Sequence, residues 1–273
     1  MPTLINIYAV SMGNFEITPF TGSYVRGLFL ELFKESKAAT SWLLHDKPGT
    51  KPYSVKPLKP IGSKMKIKNG MWIIEEGDKL MFGFGILDDD LGDEFLKILL
   101  STPDELHIGE VRLIRDKIEL TRKSYSILLS ESSPIEYFGI EFQTPTLFGT
   151  PHGFPYLFPE PRRVFGNLVR TWNQYAPEDS MIPEEEFLRW VEENIYVRHY
   201  KNLKTREVKV GKFKVVGFKG KVAYVIKEKD KTNTKYLETL LKYSAASNIG
   251  AKTTYGLGVA RTKDLKNRKP ITF

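Results

Sequence analysis

The feature that most limits what this chain can fold into is an order of elements, β-α-β-β-α-β, read once before a polar break at residues 130–134 and again after it. Residues 4–10 alternate loosely and suit a strand. Thr21 or Ser23 can cap a helix through Val25, Leu28, Phe29, Leu32 and Phe33, apolar at i, i+3 and i+4 spacing. Lys47-Pro48-Gly49-Thr50 is a turn, followed by a short strand over residues 53–58. Residues 71–74 and 80–86, either side of Glu75-Glu76-Gly77-Asp78, predict a hairpin. Asp88-Asp89-Asp90 offers caps and favourable dipole charge to a helix over Phe95, Leu96, Leu99 and Leu100. Residues 106–120 return as a strand, punctuated by Gly109 and Arg115-Asp116.

After the break the pattern restarts with a strand at residues 135–142 and a helix at 161–172 that turns Val164, Phe165, Leu168 and Val169 inward. Residues 208–216 and 221–226 predict a hairpin around Gly217-Phe218-Lys219-Gly220. A helix over 236–247 buries Leu237, Leu240 and Leu241, and residues 257–262 form the last strand. Residues 183–191 predict an inserted acidic helix, with Glu184 to Glu186 in its first turn. Helices matching the crossovers of a four-stranded sheet, twice over, predict an α+β chain of two tandem ferredoxin-like (RRM-like) domains. The expected division is 1–130 and 131–273; one larger α+β domain is the alternative. A length of 273 residues allows two cores, and 41% hydrophobic content excludes wholesale disorder.

Charge is distributed unevenly. Residues 1–130 balance 17 basic against 17 acidic side chains, residues 131–196 carry 4 against 11, and residues 197–273 carry 20 against 5. The overall +8 therefore comes from the last segment. Within the neutral half, Lys47, Lys51, Lys56, Lys59, Lys64, Lys66 and Lys68 form a local basic run. Such segregation attracts polyanions, and nucleic acid fits better than membrane because the basic segment has no amphipathic helix with a Trp/Leu face. The absence of Cys removes disulfide scaffolds, thiolate zinc sites and Cys nucleophiles together. No apolar run is long enough for a membrane span, and the N-terminus does not resemble a signal peptide, so a cytoplasmic protein is expected.

Between the last helix and the last strand lies Asn248-Ile249-Gly250-Ala251-Lys252-Thr253-Thr254-Tyr255-Gly256-Leu257-Gly258. Gly250 suits a left-handed helix end, while Gly256 and Gly258 let backbone approach a ligand closely. Exposed N–H groups, with Lys252 and Thr253, can bind phosphate. The spacing is neither a Walker A loop nor a dinucleotide fingerprint, and a glycine-bearing connection with no ligand remains open.

This segment resembles the glycine-rich loop of the RAMP superfamily of CRISPR-associated proteins, and in particular its repeat-processing endoribonucleases. Gly217-Phe218-Lys219-Gly220, the strand Ile140-Glu141-Phe142-Gln143-Thr144-Pro145-Thr146, and Leu43-Leu44-His45-Asp46 before Lys51-Pro52-Tyr53-Ser54 extend the resemblance over nearly the whole chain. It implies a metal-independent endoribonuclease that binds CRISPR repeat RNA and cuts the precursor within each repeat by attack of a 2′-hydroxyl. The products are a 2′,3′-cyclic phosphate and a 5′-hydroxyl. It further implies His45 as general acid and base and Lys51 as stabiliser of the phosphorane charge, the work for which imidazole and ammonium groups are suited. Where some members place a second proton carrier, fifteen residues before the His, this chain has Leu30; Tyr24, six residues displaced, is the nearest substitute.

For RNA binding the candidates are Gly250, Lys252, Thr253, Gly256 and Gly258 in the loop, Lys219 and Lys221 near the hairpin, and Arg162 and Arg163 at a helix start. Phe218 and Tyr255 could stack on a base. No cofactor and no metal are expected: His107, His152 and His199 lack ligand spacing, and Asp88-Asp89-Asp90 reads as a capping turn. Expected partners are precursor and product repeat RNA and subunits of a CRISPR interference complex, for a monomer or homodimer. A non-catalytic RAMP-type RNA-binding subunit is the competing reading.

Overall fold

The computed structural model describes residues 1–34 and 50–273. In the first half, β1 (Thr3–Ser11), β3 (Tyr53–Pro60), β6 (Lys79–Ile86), β7 (Glu105–Ile108) and β8 (Val111–Arg122) form an antiparallel sheet in the order β3-β6-β1-β8-β7. Helices α1 (Gly22–Leu32) and α2 (Asp89–Ser101) supply the two crossovers. In the second half, β9 (Tyr137–Thr146), β10 (Ile195–Val210), β11 (Phe213–Ile226), β12 (Ala260–Asp264) and β13 (Lys269–Ile271) order as β10-β11-β9-β12-β13. Its crossovers are α4 (Pro161–Tyr175) and α6 (Lys231–Ser247); α3 (Tyr125–Ser130) bridges the halves and α5 (Glu184–Asn194) is the acidic insertion. Ignoring the added edge strands, both sheets place first and third strands at the centre and second and fourth outside. This is the tandem ferredoxin-like α+β fold.

Each sheet buries one face. Ile5, Ile7, Phe82, Phe84 and Val55 meet Phe29 of α1 and Phe95 of α2, with Phe29 stacked on Tyr53 at 4.2 Å. Phe138, Ile140, Phe142, Val222 and Tyr224 meet Phe165 and Trp172 of α4 and Leu237 and Leu240 of α6. Burying a side chain of this size stabilises by about 1.5–3 kcal/mol, so each half carries its own core. Among the described residues no helix is long and apolar enough to cross a membrane.

Several local expectations are corrected. Residues 71–74 do not pair with 79–86. They form β5 (Met71–Ile74) in a small sheet with β2 (Phe15–Ile17) and β4 (Lys66–Lys68), because β6 is recruited between β1 and β3. Residues 106–120 are two strands folded back at Gly109, whose φ of 63° a glycine tolerates. Gly217-Phe218-Lys219-Gly220 is not a turn but lies inside β11. The hairpin turns at Gly211 instead, and a bulge beside Gly220 absorbs the irregularity.

Helix ends also differ. The last helix starts at Lys231, where Asp230 accepts from the Asn233 N–H at 2.7 Å. Asp88 does cap its helix, accepting from Leu91 N–H. Thr21 and Ser23 do not cap α1, because tertiary partners claim their hydroxyls: Thr21 accepts from Leu58 N–H, and Ser23 accepts from Gly211 N–H at the hairpin tip. The strand expected from residue 257 is β12 and begins at Ala260, since Leu257 and Gly258 belong to the preceding turns; a further strand, β13, follows it.

Candidate nucleic-acid interface

α6 ends at Ser247, and Asn248 rather than Gly250 is the first left-handed residue after it, with φ of 57°. Gly250, Lys252, Gly256 and Gly258 follow at positive φ, around a single 3₁₀ turn over Thr253–Tyr255. The loop is bound largely to its own protein. Gly250 N–H donates to Asn167 Oδ1 at 2.6 Å, Ala251 N–H to the Leu147 carbonyl at 2.8 Å, and Gly258 N–H to the Pro145 carbonyl at 3.1 Å. A Cβ on Gly258 would sit 1.9 Å from the Ile249 carbonyl oxygen, and one on Gly256 2.7 Å from Pro57. Gly250, Thr253, Gly256 and Gly258 are accordingly buried, and of the five loop residues singled out by sequence only Lys252 is exposed. Among the described residues, the N–H groups of Lys252, Thr253 and Thr254 have no partner.

The first half grips this loop through β3. Ser54 Oγ donates to the Ala246 carbonyl at 2.5 Å, Lys56 Nζ donates to the Ala245 carbonyl, and Asn248 Nδ2 donates to the Val55 carbonyl at 3.0 Å. Carbonyls at a helix C-terminus lack intrahelical donors and carry partial negative charge, so an ammonium there is doubly suited. Thr50 is held from the other half: Gln174 Nε2 donates to its carbonyl at 2.9 Å, as does the Tyr175 hydroxyl. Half-buried Lys51 thus lies between Thr50 and Pro52, whose carbonyl accepts from Leu87 N–H at 2.8 Å.

Between β3 and the β10–β11 hairpin opens a cleft of about 380 Å³, with Lys56 and Lys59 on one wall and Arg206 and Lys219 on the other. Burial is the main force lowering these cations, and neighbouring charges add to it. Burial, with the charge of Lys59, pushes the Lys56 ammonium down to about 8. Lys59 is lowered by burial and by Arg261. Lys219 is lowered by burial and then by Arg206, which Glu141 only partly offsets. A wall of cations that raise each other's energy is relieved by a polyanion.

The remaining sequence candidates lie elsewhere. Lys221 is exposed and paired with Glu141 at 3.2 Å. Arg162 pairs with Glu192 of the acidic helix, and Arg163 lies near Glu160 with its guanidinium 5.0 Å over the Tyr156 ring. Phe218 is buried against Phe142. Tyr24 is exposed and covers Gly109 on the far edge of the first sheet, while Leu30 packs on the first core. His45 lies outside the described residues. His107 pairs with Glu105, and the described residues contain no cluster of three or more His, Asp or Glu able to hold a metal ion.

Sequence reasoning missed Arg26, Arg206 and Arg261 and did not separate Lys56 and Lys59 from their lysine run. Arg26 rests 4.5 Å from the Tyr255 ring centroid, its Nε buried without a hydrogen-bond partner. Lys56 and Lys59 lie in β3 on either side of its bulge and are part-buried, whereas Lys64, Lys66 and Lys68 are exposed.

Residues 140–260, the span holding one cleft wall and the glycine-rich loop, match the family model of the CRISPR-associated endoribonuclease Cas6. A Streptococcus thermophilus CRISPR-associated endoribonuclease Cas6 is 26% identical over 223 residues, 80% of this chain and 83% of that protein. Over most of its length the chain is similar to the Cas6 family of CRISPR-associated endoribonucleases. Among solved structures, a Cas6 product complex superposes with a TM-score of 0.76 at 25% identity, covering 95% of this chain and 99% of the other. Thermus thermophilus Cas6 gives 0.68 at 25% identity, covering 95% and 97%. A Cas6-related protein from Pyrococcus furiosus, 14% identical with a TM-score of 0.63 over 97% and 100%, shares the fold. The likeness to Cas6 agrees with two halves that meet at a cationic cleft.

Proposed function

We propose that this chain binds CRISPR repeat RNA in the cleft between its halves and cleaves the precursor once per repeat, without a metal, by 2′-hydroxyl attack on the adjacent phosphorus. The observation that carries the reading is the convergence of Lys56, Lys59, Arg206 and Lys219 on one cleft beside the strand that follows Lys51. The reaction breaks the bond from phosphorus to the 5′-oxygen while the 2′-oxygen bonds to phosphorus, leaving a 2′,3′-cyclic phosphate and a 5′-hydroxyl. The protein's task is to splay two nucleotides in line, move a proton from the 2′-oxygen to the 5′-oxygen, and stabilise the phosphorane. His45 is assigned the proton transfers and Lys51 the charge. With Leu30 in the core, Tyr24 is the remaining candidate for a second carrier. Its place over Gly109 favours a mechanism carried by His45 alone.

In this reading residues 1–130 hold the chemistry and residues 131–273 most of the binding surface. Lys252, Lys219 and Lys221 contact phosphate directly. Gly250, Thr253, Gly256 and Gly258 support the RNA by holding the loop in place. Product RNA stays on the protein for hand-over to interference-complex subunits in the cytoplasm, the enzyme acting as a monomer or homodimer.

The test is incubation of purified protein with its repeat RNA in EDTA. Cutting with a cyclic-phosphate end is expected, together with loss of cutting but retention of binding when the scissile nucleotide is 2′-deoxy or His45 is replaced (His45→Ala). Cleavage that needs magnesium, or survives His45→Ala, overturns the mechanism. Binding without any cleavage by the wild type makes the chain an RNA-holding subunit instead.

A further inference from the structure

The second sheet packs one face on α4 and α6 and leaves the other open. The alternation that sends Phe138, Ile140 and Phe142 inward turns Gly139 and Glu141 outward. Gly139 of β9 stands in register with Ala223 of β11, side by side at the centre of the open face. RNA-binding sheets of this topology commonly carry stacking aromatics at their centre. Here the two smallest side chains replace them, and the face sinks into a trough of about 510 Å³. Leu265 forms a side wall, so near that a Cβ on Gly139 would lie 3.2 Å from its Cδ1.

The rim is cationic. Lys201, Lys263 and Arg268 line it, all three are exposed, and none is in an ion pair among the described residues. The trough lies beside the interdomain cleft along the same strands: Glu141 of β9 and Lys221 of β11 line the trough, and Gln143 and Lys219, two residues away on each, line the cleft.

We propose that this trough is a second RNA subsite, holding one nucleotide of single strand beyond the cleft. The base lies on the Gly139–Ala223 floor and the flanking phosphates meet Lys201, Lys263 and Arg268. An apolar bed for the base with cations tracking the backbone is how single strands are held without a paired partner. A volume in the small-ligand range admits one nucleotide and no duplex. The inference rests on RNA being the cleft's ligand. An acidic peptide would match the rim but not a floor built on the strands that also line an RNA-binding cleft.

The experiment uses the full chain and repeat RNA made uncleavable by a 2′-deoxy at the scissile position, carrying 4-thiouridine at successive positions. The expected result is one photo-crosslinking position, outside the cleft-bound segment, that attaches to residues 196–201 or 261–268. In parallel, Lys263→Glu combined with Arg268→Glu weakens binding of the long RNA by about tenfold and lowers its salt slope by about 2, while RNA truncated to the cleft-bound segment binds as before. Crosslinks confined to the cleft, or a double variant that affects both RNAs equally or neither, overturn the subsite. Failure of the proposed function looks different, since the wild type then cuts no repeat RNA. Thiouridine-bearing oligouridylates of two lengths replace the repeat in that case, and the same crosslinks and length dependence decide the trough.

Discussion

The glycine-rich loop and β3, the strand of Lys56 and Lys59, touch one another, Gly256 against Pro57, yet they contribute differently. The loop is the more conspicuous in sequence, and its glycines serve close packing: backbone meets backbone at Ile249 and Gly258, and most of its donors are satisfied internally. Lys56 and Lys59 are two members of an unremarkable basic run, but they face an open cleft opposite Arg206 and Lys219. The contrast separates what positions a ligand from what attracts it. Glycine allows a tight junction between the two halves, and the junction sets the cations around the cleft.

The sharpest way to break that comparison is at Gly258. Gly258→Ala places a Cβ 1.9 Å from a carbonyl oxygen at a φ of 75°. It should destabilise by about 3 kcal/mol and lower the melting temperature by roughly 10 °C in calorimetry. An unchanged melting temperature with lost RNA binding would mean that the loop contacts RNA through its glycines after all. The reverse pattern is expected at the cleft. Lys59→Glu with Lys219→Glu should weaken RNA binding about 100-fold at 0.15 M salt while leaving the melting temperature within a few degrees. Equal losses of stability and binding would erase the distinction.

A smaller effect should appear on Lys252→Glu, about tenfold in affinity, since this is the exposed loop cation. His45→Ala should reduce affinity less than that. Comparable losses would place the binding energy at the proposed catalytic position.

The smallest expected effect is in pH dependence. Free Lys56 is held down to about 8, chiefly by burial, and a bound phosphate would raise it. Below that pH the ammonium is already charged and binding takes up no proton. Above it binding must protonate Lys56, so affinity should fall as pH rises from about 8 towards the bound value. Lys56→Met should flatten this part of the profile, measured by RNA titration at fixed ionic strength. A wild-type profile flat over the same range would remove Lys56 from the interface.

Both crossovers of each half, the tandem ferredoxin-like order and the acidic insertion were legible because they depend on periodicity and local caps. Val25, Leu28 and Phe29 on one helix, or Val164, Phe165 and Leu168 on another, reveal an inward face without knowledge of what covers it. The errors share another cause. Thr21 and Ser23 have the side chains of caps, but hydroxyls respond to any nearby donor, and β3 and the hairpin tip brought closer ones. Residues 71–74 look like half of a hairpin, but β6 pairs more favourably inside the main sheet, where both of its neighbours are core strands.

The candidate site divides along the same line. Arg162 and Arg163 sit at a helix start as anticipated, yet Glu192 and Glu160, from the acidic segments around them, neutralise much of their pull on phosphate. Lys219 lies within a strand and still lines the cleft, together with Arg206 of the paired strand β10. The sequence by itself determined the two sheets, their helices and a strongly basic final segment, since hydrophobic period and net charge are properties of neighbours along the chain. Only the tertiary structure decided which lysines and arginines act together, because electrostatic coupling depends on distance through space. Lys56 comes from a strand of the first sheet, Arg206 and Lys219 from paired strands of the second, and the two walls meet only when the two halves pack.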